Sequence, residues 1–138
     1  MTKIVYAYVV GDLLHIGHVL ALENAKEFGD KLIVGVLTDE AVMEKKSKPV
    51  IGFSERMRVI KALRCVDVIV PQKTYSPIEN VKTIKPNILM ESDSHTEEDL
   101  EETYNVCEKL EIEIIKMPYY PLQSSTKIKK EIEKGGKR

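Results

Sequence analysis

The chain has 138 residues, a common size for one domain, and its 21 basic and 22 acidic residues leave a formal net charge of −1. Nothing in this balance suggests the strongly basic face expected of a general nucleic-acid-binding protein. No apolar run approaches the roughly 20 residues needed to cross a bilayer, and no signal-peptide pattern opens the chain. The two cysteines, Cys65 and Cys107, lack metal-ligand spacing. We therefore expect a cytoplasmic protein with reduced thiols, without membrane insertion and without a nucleic-acid partner.

The first third of the chain alternates apolar runs with a helical pattern. Residues 4–10 are mostly apolar, which predicts a strand buried on both faces. A loop with glycine and histidine follows, and the next pattern predicts a helix that begins near Val19 and ends at Phe28-Gly29. Residues 31–37 predict a second buried strand, after which Thr38 caps a short helix.

The middle of the chain begins with a basic loop. Residues 44–52 are polar, rich in lysine and punctuated by proline and glycine, which predicts a loop. Ser54 is the expected cap of a helix that reaches about Leu63. Residues 66–70 predict a third strand, which Pro71 ends.

The last third repeats the alternation. Residues 77–84 predict a short helix, residues 88–90 a fourth strand, and residues 112–117 a fifth strand. Between the last two strands, Thr96 caps a helix that reaches about Leu110, with acidic residues in its favourable first turn. Ser124 or Ser125 begins a final helix.

Strands that alternate with helices favour a parallel sheet covered on both faces. With right-handed crossovers, the pattern predicts an α/β fold: a single Rossmann-like, doubly wound domain with five parallel strands. We assign this domain to residues 1–134 and interpret residues 135–138 as a flexible basic tail.

Two segments that open helices lie where ligands of open α/β sheets bind, beyond the carboxyl ends of the strands. In the first, Gly17 leaves room for a phosphate to approach the backbone, and His15 and His18 offer imidazole donors on either side. An imidazole can carry charge near neutral pH, so this spacing suits a clamp on a phosphate under attack. The alternative is a pair of packing or surface histidines. Metal binding is disfavoured because no third ligand has convincing spacing.

The second segment is Ser124-Ser125-Thr126, whose hydroxyls and backbone amides suit phosphate but would also serve as a plain N-cap. The cations around Lys45 belong either to a solvated loop or to a lid over phosphates. Arg64 either complements a helix C-terminus or binds phosphate as a rigid fork. Asp12 is the least distinctive candidate, because it can simply hydrogen-bond its own loop.

Residues 15–18 read His-Ile-Gly-His, the signature of a nucleotidyltransferase superfamily that includes class I aminoacyl-tRNA synthetases and the small cytidylyl- and adenylyltransferases. The chain is too short for a synthetase. Along nearly its whole length it resembles the glycerol-3-phosphate, phosphocholine and phosphoethanolamine cytidylyltransferase family. The matching stretches are GDLLHIGH, AKEFGDKLIVGVLTDE, the lysine-rich loop, RCVDVIVPQ and SSTKIK.

The resemblance implies transfer of CMP from CTP to a small phosphorylated alcohol or phosphonate. The acceptor's phosphate oxygen attacks the α-phosphorus in line, and pyrophosphate leaves. Mg²⁺ accompanies the triphosphate, without a metal site of the protein's own. A homodimer is also implied.

The resemblance further implies a role for each matching position. His15 and His18 stabilise the α-phosphate, and Lys45 and Arg64 complete the catalytic group by contacting phosphate or acceptor. The implied nucleotide-binding positions are Val9, Val10, Gly11, Asp12 and Gly17 in the first loop, Met90 and Asp93 near the base, and Ser124, Ser125 and Thr126 at the β- and γ-phosphates.

The chain also departs from the family pattern. The arginine that opens the last family motif is missing, because residues 119–123 read Tyr-Tyr-Pro-Leu-Gln, and Arg56, Arg58 or a lysine is a candidate replacement. The fourth-strand Gly-Asp-Asp is replaced by Glu91-Ser92-Asp93. These departures leave two alternatives open: an adenylyltransferase of the FAD-synthase or pantetheine-phosphate type, and a nucleotide-binding module that has lost catalysis.

Overall fold

The computed structural model of the chain describes residues 2–92, 97–117 and 131–132. The final helix predicted from Ser124 or Ser125 lies outside these residues. Strands and helices alternate within the described part of the chain. Their bounds are β1 Ile4–Val9, α1 Ile16–Glu27, β2 Lys31–Leu37, α2 Asp39–Met43, α3 Phe53–Lys61, β3 Val68–Gln72, α4 Ile78–Ile84, β4 Ile88–Ser92, α5 Glu97–Lys109 and β5 Glu113–Met117.

The strands form one five-stranded parallel sheet in the order β3-β2-β1-β4-β5. The chain moves from β1 to one edge through β2 and β3, and then returns to the other side of β1 for β4 and β5. The direction of winding therefore reverses between β1 and β4. In open α/β sheets, the crevice at such a switch point is where ligands bind.

Apolar side chains on the two faces of the sheet pack against two different sets of helices. One face packs Val5 and Ala7 of β1 against Leu22 of α1 and Ile60 of α3. On the other face, Tyr6 and Leu89 pack with residues of α4 and α5: Val81 and Cys107. Helices on both faces of a parallel sheet confirm the predicted doubly wound, Rossmann-like α/β fold.

Several predicted boundaries are wrong by a few residues, and two of the differences have a clear cause. Helix α1 begins at Ile16 rather than near Val19, because His15 serves as its N-cap. Pro71 lies inside β3 rather than after it. An edge strand tolerates proline because one of its sides needs no donor, and β3 is at the edge of the sheet. Ser54 is inside α3, whose N-cap is Gly52.

Both cysteines are free, and they belong to opposite faces of the sheet. Burial raises the pKa of the Cys65 thiol and, with a contribution from the Glu91 carboxylate, raises that of Cys107 to about 11. Neither thiol has the lowered pKa of a reactive cysteine. Among the described helices, none is both long enough and apolar enough to cross a membrane.

A buried hydrogen-bond network crosses the sheet from β1 to β3. The Tyr6 hydroxyl donates to Oε1 of Gln72 over 2.6 Å and accepts from Nδ2 of Asn80 over 2.9 Å. The Gln72 amide in turn donates to the backbone carbonyls of Thr74 and Tyr75, each over 3.2 Å. The network therefore fixes the loop after β3. It passes over Gly35 of β2, where an added Cβ would lie 1.9 Å from the Tyr6 hydroxyl oxygen.

We expect Gly35→Ala to destabilise the fold by about 3 kcal/mol, because its methyl group displaces the Tyr6 hydroxyl from a packed interior. Gly52→Ala is the matched control, since nothing lies within 4 Å of a Cβ at that position. Urea unfolding of both variants measures the difference. Equal midpoints for the two alanine variants would contradict this account of Gly35.

Candidate active site

Three segments of the chain meet near the carboxyl ends of the strands: residues 10–15 after β1 (the first loop), residues 44–52 after α2 (the lysine loop), and the connection between β3 and α4. The first loop begins the helix α1, which carries the two predicted histidines. Because β1 also borders the switch point with β4, this edge of the sheet combines a ligand-binding crevice with a helix N-terminus.

The two histidines cap α1 with their own side chains. Nδ1 of His15 accepts a hydrogen bond from the backbone N–H of Gly17 over 3.0 Å. Nδ1 of His18 accepts from the backbone N–H of His15 over 3.2 Å, which completes a reciprocal capping box. The ring centroids are 4.1 Å apart. The motif therefore forms the first turn of the helix, and the spacing of three residues is the spacing that a capping box needs.

This geometry determines the tautomer of both imidazoles. A nitrogen that accepts a backbone N–H carries no proton, so each neutral ring is protonated at Nε2. Burial lowers the pKa of His15, and burial together with the neighbouring His15 lowers the pKa of His18 to about 4. The lowered pKa values favour neutral imidazoles that act as Nε2–H donors near neutral pH. The amide of Gly17 is likewise occupied by His15 rather than open to a phosphate.

The first loop makes two bends that an L-residue rarely adopts. Gly11 has φ +72°, and an added Cβ there would lie 3.3 Å from the Ile60 side chain. Leu13 has φ +51° without being glycine. Such backbone costs on the order of 1–3 kcal/mol and persists only where the surrounding structure holds it.

Asp12, between these two bends, reaches the lysine loop. Its side chain is 3% exposed. The carboxylate accepts hydrogen bonds from the backbone N–H groups of Val50 over 3.0 Å and Ile51 over 2.9 Å. The suggestion that Asp12 stabilises only its own loop is therefore wrong.

Arg56 of α3 is 1% exposed and joins several segments at this edge. Its guanidinium donates to the carbonyls of Ile51 over 2.9 Å, Val10 over 2.6 Å and Leu37 over 2.8 Å, and it pairs with Asp39 over 2.7 Å. The suggestion that Arg56 replaces the missing family arginine is therefore wrong, because its donors are directed at the protein itself. Arg58 is exposed.

Lys45 and two tyrosines border a cavity of about 110 Å³ at the same edge. The Lys45 ammonium lies over the Tyr75 ring, 5.7 Å from its centroid. The Tyr8 hydroxyl donates to the fully buried Glu91 carboxylate, with oxygen–oxygen distances of 2.7 and 2.8 Å, across the switch point between β1 and β4. Burial and this carboxylate raise the pKa of Tyr8. Sequence reasoning missed Tyr8 and Tyr75; the signal for Tyr8 was a polar hydroxyl inside an apolar strand, and Tyr75 lies in a loop whose sequence carries no such signal.

The structure does not bring every predicted residue to this edge. The Met90 side chain is 2% exposed and packs in the core, so only the backbone of Met90 is left to contact a base. Val9 and Val10 do lie at this edge, but their side chains pack against apolar clusters, and the Val10 carbonyl accepts a hydrogen bond from Arg56. Asp93, Ser124, Ser125 and Thr126 lie outside the described residues.

Arg64 lies on the exposed connection from α3 to the amino end of β3. Three residues later, Asp67 accepts from the Leu32 amide near the start of β2 and pairs with Lys26 in the last turn of α1. The histidines are at the first turn of α1. The predicted contact of Arg64 with phosphate or acceptor beside the histidines is at odds with this placement within one chain.

Within the described ranges, no group of three or more His, Cys, Asp or Glu side chains is arranged to hold a metal ion. Magnesium usually keeps several waters and binds through substrate phosphates with one or two carboxylates. The described residues therefore fit Mg²⁺ only where a triphosphate supplies its oxygen ligands.

The chain is similar to known proteins along most of its length. A family model described as Cytidylyltransferase-like matches residues 11–131. Bifunctional protein HldE of Geotalea uraniireducens (strain Rf4) is 37% identical over 98 residues, which are 70% of this chain and 20% of that protein. HldE of Sulfurimonas denitrificans is 42% identical over 90 residues, 64% of this chain and 19% of the relative. The chain thus spans about a fifth of the length of the curated relatives it matches.

Solved structures share the fold. The lipopolysaccharide core biosynthesis protein from Thermoplasma volcanium GSS1 superposes with a TM-score of 0.77 at 25% identity, covering 87% of this chain and 99% of that chain. Pantoate-beta-alanine ligase from Francisella tularensis has a TM-score of 0.64 at 15% identity, covering 93% and 65% of the two chains. The second likeness shows the fold alone.

The histidine geometry makes an NMR prediction. At pH 7 both imidazoles should show an unprotonated Nδ1 and a protonated Nε2 in ¹⁵N spectra. His18 is neutral in the folded chain with a pKa of about 4, against 6.5 as its ordinary value, so protons favour the unfolded chain. Its effect on stability is absent above pH 6.5, and the fold is weakened progressively as the pH falls from 6.5 towards 4.

The matched variant for this measurement is His18→Asn, whose amide oxygen can take the place of Nδ1 but does not titrate. The wild type should lose stability relative to this variant as the pH falls through that window. A His18 titration midpoint at or above 6.5 would contradict the capping-box assignment.

Replacement of Arg56 tests its structural role. Arg56→Lys should lower the free energy of unfolding by about 2–4 kcal/mol, because lysine cannot serve several carbonyls and a carboxylate with one fork. Arg58→Lys on the same helix should change it by less than about 0.5 kcal/mol, since that side chain is exposed. Similar losses in the two variants, measured by chemical denaturation, would overturn the assignment.

Proposed function

Since the chain belongs to the Cytidylyltransferase-like family, within the nucleotidyltransferase superfamily, we propose that it transfers CMP from CTP to a small phosphorylated alcohol or phosphonate. An oxygen of the acceptor's phosphate group attacks the α-phosphorus. The bond from that phosphorus to the oxygen bridging to the β-phosphorus breaks, and pyrophosphate leaves with the electron pair. The product is a CDP conjugate, and no covalent enzyme intermediate is required.

The observation that carries this proposal is the histidine pair. Two Nε2–H donors, oriented by the capping box, stand at the N-terminus of α1 beside the switch point. Donors fixed before the reaction stabilise charge that develops on the α-phosphate without reorganising during the step. Because the rings are neutral, they donate hydrogen bonds rather than supply charge. The positive charge must come from elsewhere, and the exposed lysine loop at the same edge of the sheet is a described source.

Lys45 is the side chain of the lysine loop that we assign to the phosphates. It contacts Tyr75 at the same edge of the sheet, and its long, exposed chain can leave the ring for a stronger anionic partner. We keep Ser124, Ser125 and Thr126 as proposed ligands of the β- and γ-phosphates and Asp93 as a proposed contact of the base, on the family resemblance.

We assign the organic part of the acceptor to the cavity between Tyr8, Tyr75 and Thr103. Aromatic rings and hydroxyl groups line it, and Lys45 at its border can meet the acceptor's phosphate. Mg²⁺ enters with the triphosphate, whose charge it offsets. A homodimer and a cytoplasmic location, both implied by the resemblance or the composition, stay proposals, as does any activity of the longer HldE relatives for this chain.

Adenylyl transfer from ATP is the second candidate. Its support is the fourth strand, where the described positions that the family uses near the base are both buried: Met90 in the core and Glu91 against Tyr8. These side chains do not read a cytosine. The base is then read by backbone groups or by residues beyond the described part of β4, and neither choice favours CTP by itself.

The test is pyrophosphate release with Mg²⁺, with CTP and ATP assayed separately against pooled phospho-alcohols, sugar phosphates and phosphonates. We expect release with CTP. His18→Asn should keep the helix cap and the melting temperature but lose the Nε2–H donor, so kcat should fall by roughly 10²–10³-fold.

Pyrophosphate release with ATP but not with CTP would show that ATP, rather than CTP, is the donor nucleotide. Tight binding of CTP without release on any acceptor would instead indicate a module that has lost catalysis. A His18→Asn variant with wild-type kcat would remove the histidine from the reaction.

A further inference from the structure

The lysine loop is fastened at both of its ends. At its near end, the backbone N–H groups of Lys45 and Lys46 donate to the carbonyl of Val42 in α2, over 3.2 and 2.9 Å. At its far end, the backbone of Val50 and Ile51 is bound by two buried side chains from other segments. The exposed residues between these two points therefore span a short gap between fixed ends.

Asp12 and Arg56 hold the far end from opposite sides. Oδ2 of Asp12 accepts from the N–H of Val50 over 3.0 Å, and Oδ1 accepts from the N–H of Ile51 over 2.9 Å. Nε of Arg56 donates to the carbonyl of Ile51 over 2.9 Å. The N–H of Ile51 is thus bound by a buried carboxylate and its carbonyl by a buried guanidinium. Two charge-assisted hydrogen bonds of this kind hold the Ile51 backbone firmly in place.

The backbone of the first loop is shaped to direct Asp12 at this target. The left-handed bends at Gly11 and Leu13 flank it, and the second bend carries a conformational cost that the hydrogen bonds of Asp12 help to offset. The same loop leads directly into His15, three residues later. One carboxylate therefore links the segment that carries the histidines to the segment that carries Lys45.

We propose that Asp12 is a positioning residue: it sets the lysine loop against the histidine pair, so that Lys45 and the two imidazoles act on one phosphate chain. For Asp12, this positioning role takes the place of the nucleotide-ligand role that the family resemblance implies. The inference about the loop stands on the geometry alone, whereas its effect on the reaction rests on the proposed function.

The variant for the test is Asp12→Asn, which keeps the size of the side chain. The asparagine oxygen can accept one of the two amides, but its NH₂ group faces the other as donor against donor. Asp67→Asn is the matched control. Asp67 also accepts a backbone amide, that of Leu32, but it does so near the start of β2 and away from the histidines.

The first measurement is hydrogen exchange of the Val50 and Ile51 amides in the nucleotide-free protein. We expect at least one of them to exchange tenfold or more faster in Asp12→Asn, and neither to change in Asp67→Asn. Unchanged protection of both amides in Asp12→Asn would overturn the proposal. This measurement does not depend on enzymatic activity. A wild-type chain that transfers no nucleotide would contradict the proposed function, but hydrogen exchange would still decide whether Asp12 holds the lysine loop.

The second measurement separates positioning from direct contact with the nucleotide. We expect Asp12→Asn and Lys45→Ala each to lower kcat/KM for the nucleotide by tenfold or more, and the double variant to be within about twofold of Lys45→Ala. Effects that multiply would overturn the proposal, because a residue that contacts the nucleotide itself acts independently of Lys45. Asp67→Asn should keep the wild-type kcat/KM whatever it does to stability.

Discussion

The buried guanidinium of Arg56 is the contact on which the geometry of this edge depends. It binds carbonyl groups at the carboxyl ends of two neighbouring strands and a third carbonyl at the end of the lysine loop, and it balances its charge with Asp39. A buried charge with a single partner is costly, whereas one whose donors are satisfied several times over is held in place. Arg56 thereby holds together the segments that leave β1 and β2, and it fixes the positions of the first loop and the lysine loop.

The histidine pair shows how local helix chemistry and the chemistry of a site can use the same atoms. In each ring, Nδ1 accepts a hydrogen bond from a backbone N–H at the start of α1 that has no partner within the helix, and Nε2 is left as a donor. The cap fixes ring orientation and tautomer together, which is the role that a carboxylate or carbonyl partner plays for histidines in other sites. The first helical turn must therefore be formed for the two imidazoles of the site to be oriented.

The fold could be read from the sequence because it follows from alternation: apolar strands, intervening helical patterns and the handedness of crossovers leave few topologies. The histidine pair could be found because its motif is local. Asp12 and Arg56 were harder, since their partners are backbone groups 38 and 46 residues away. The Tyr8–Glu91 contact spans 83 residues. Met90 was placed by the family resemblance, which matches a position in the chain but does not say which way its side chain points.

Pro71 has a consequence for how this chain can meet a second copy of itself. It lies in β3, at one border of the sheet, and offers no backbone N–H there. An added strand would find a gap in the ladder at that position, so β3 is a poor template for continuing the sheet into a neighbouring molecule. Self-association through this side of the molecule would therefore have to rely on side-chain packing instead of shared backbone pairing.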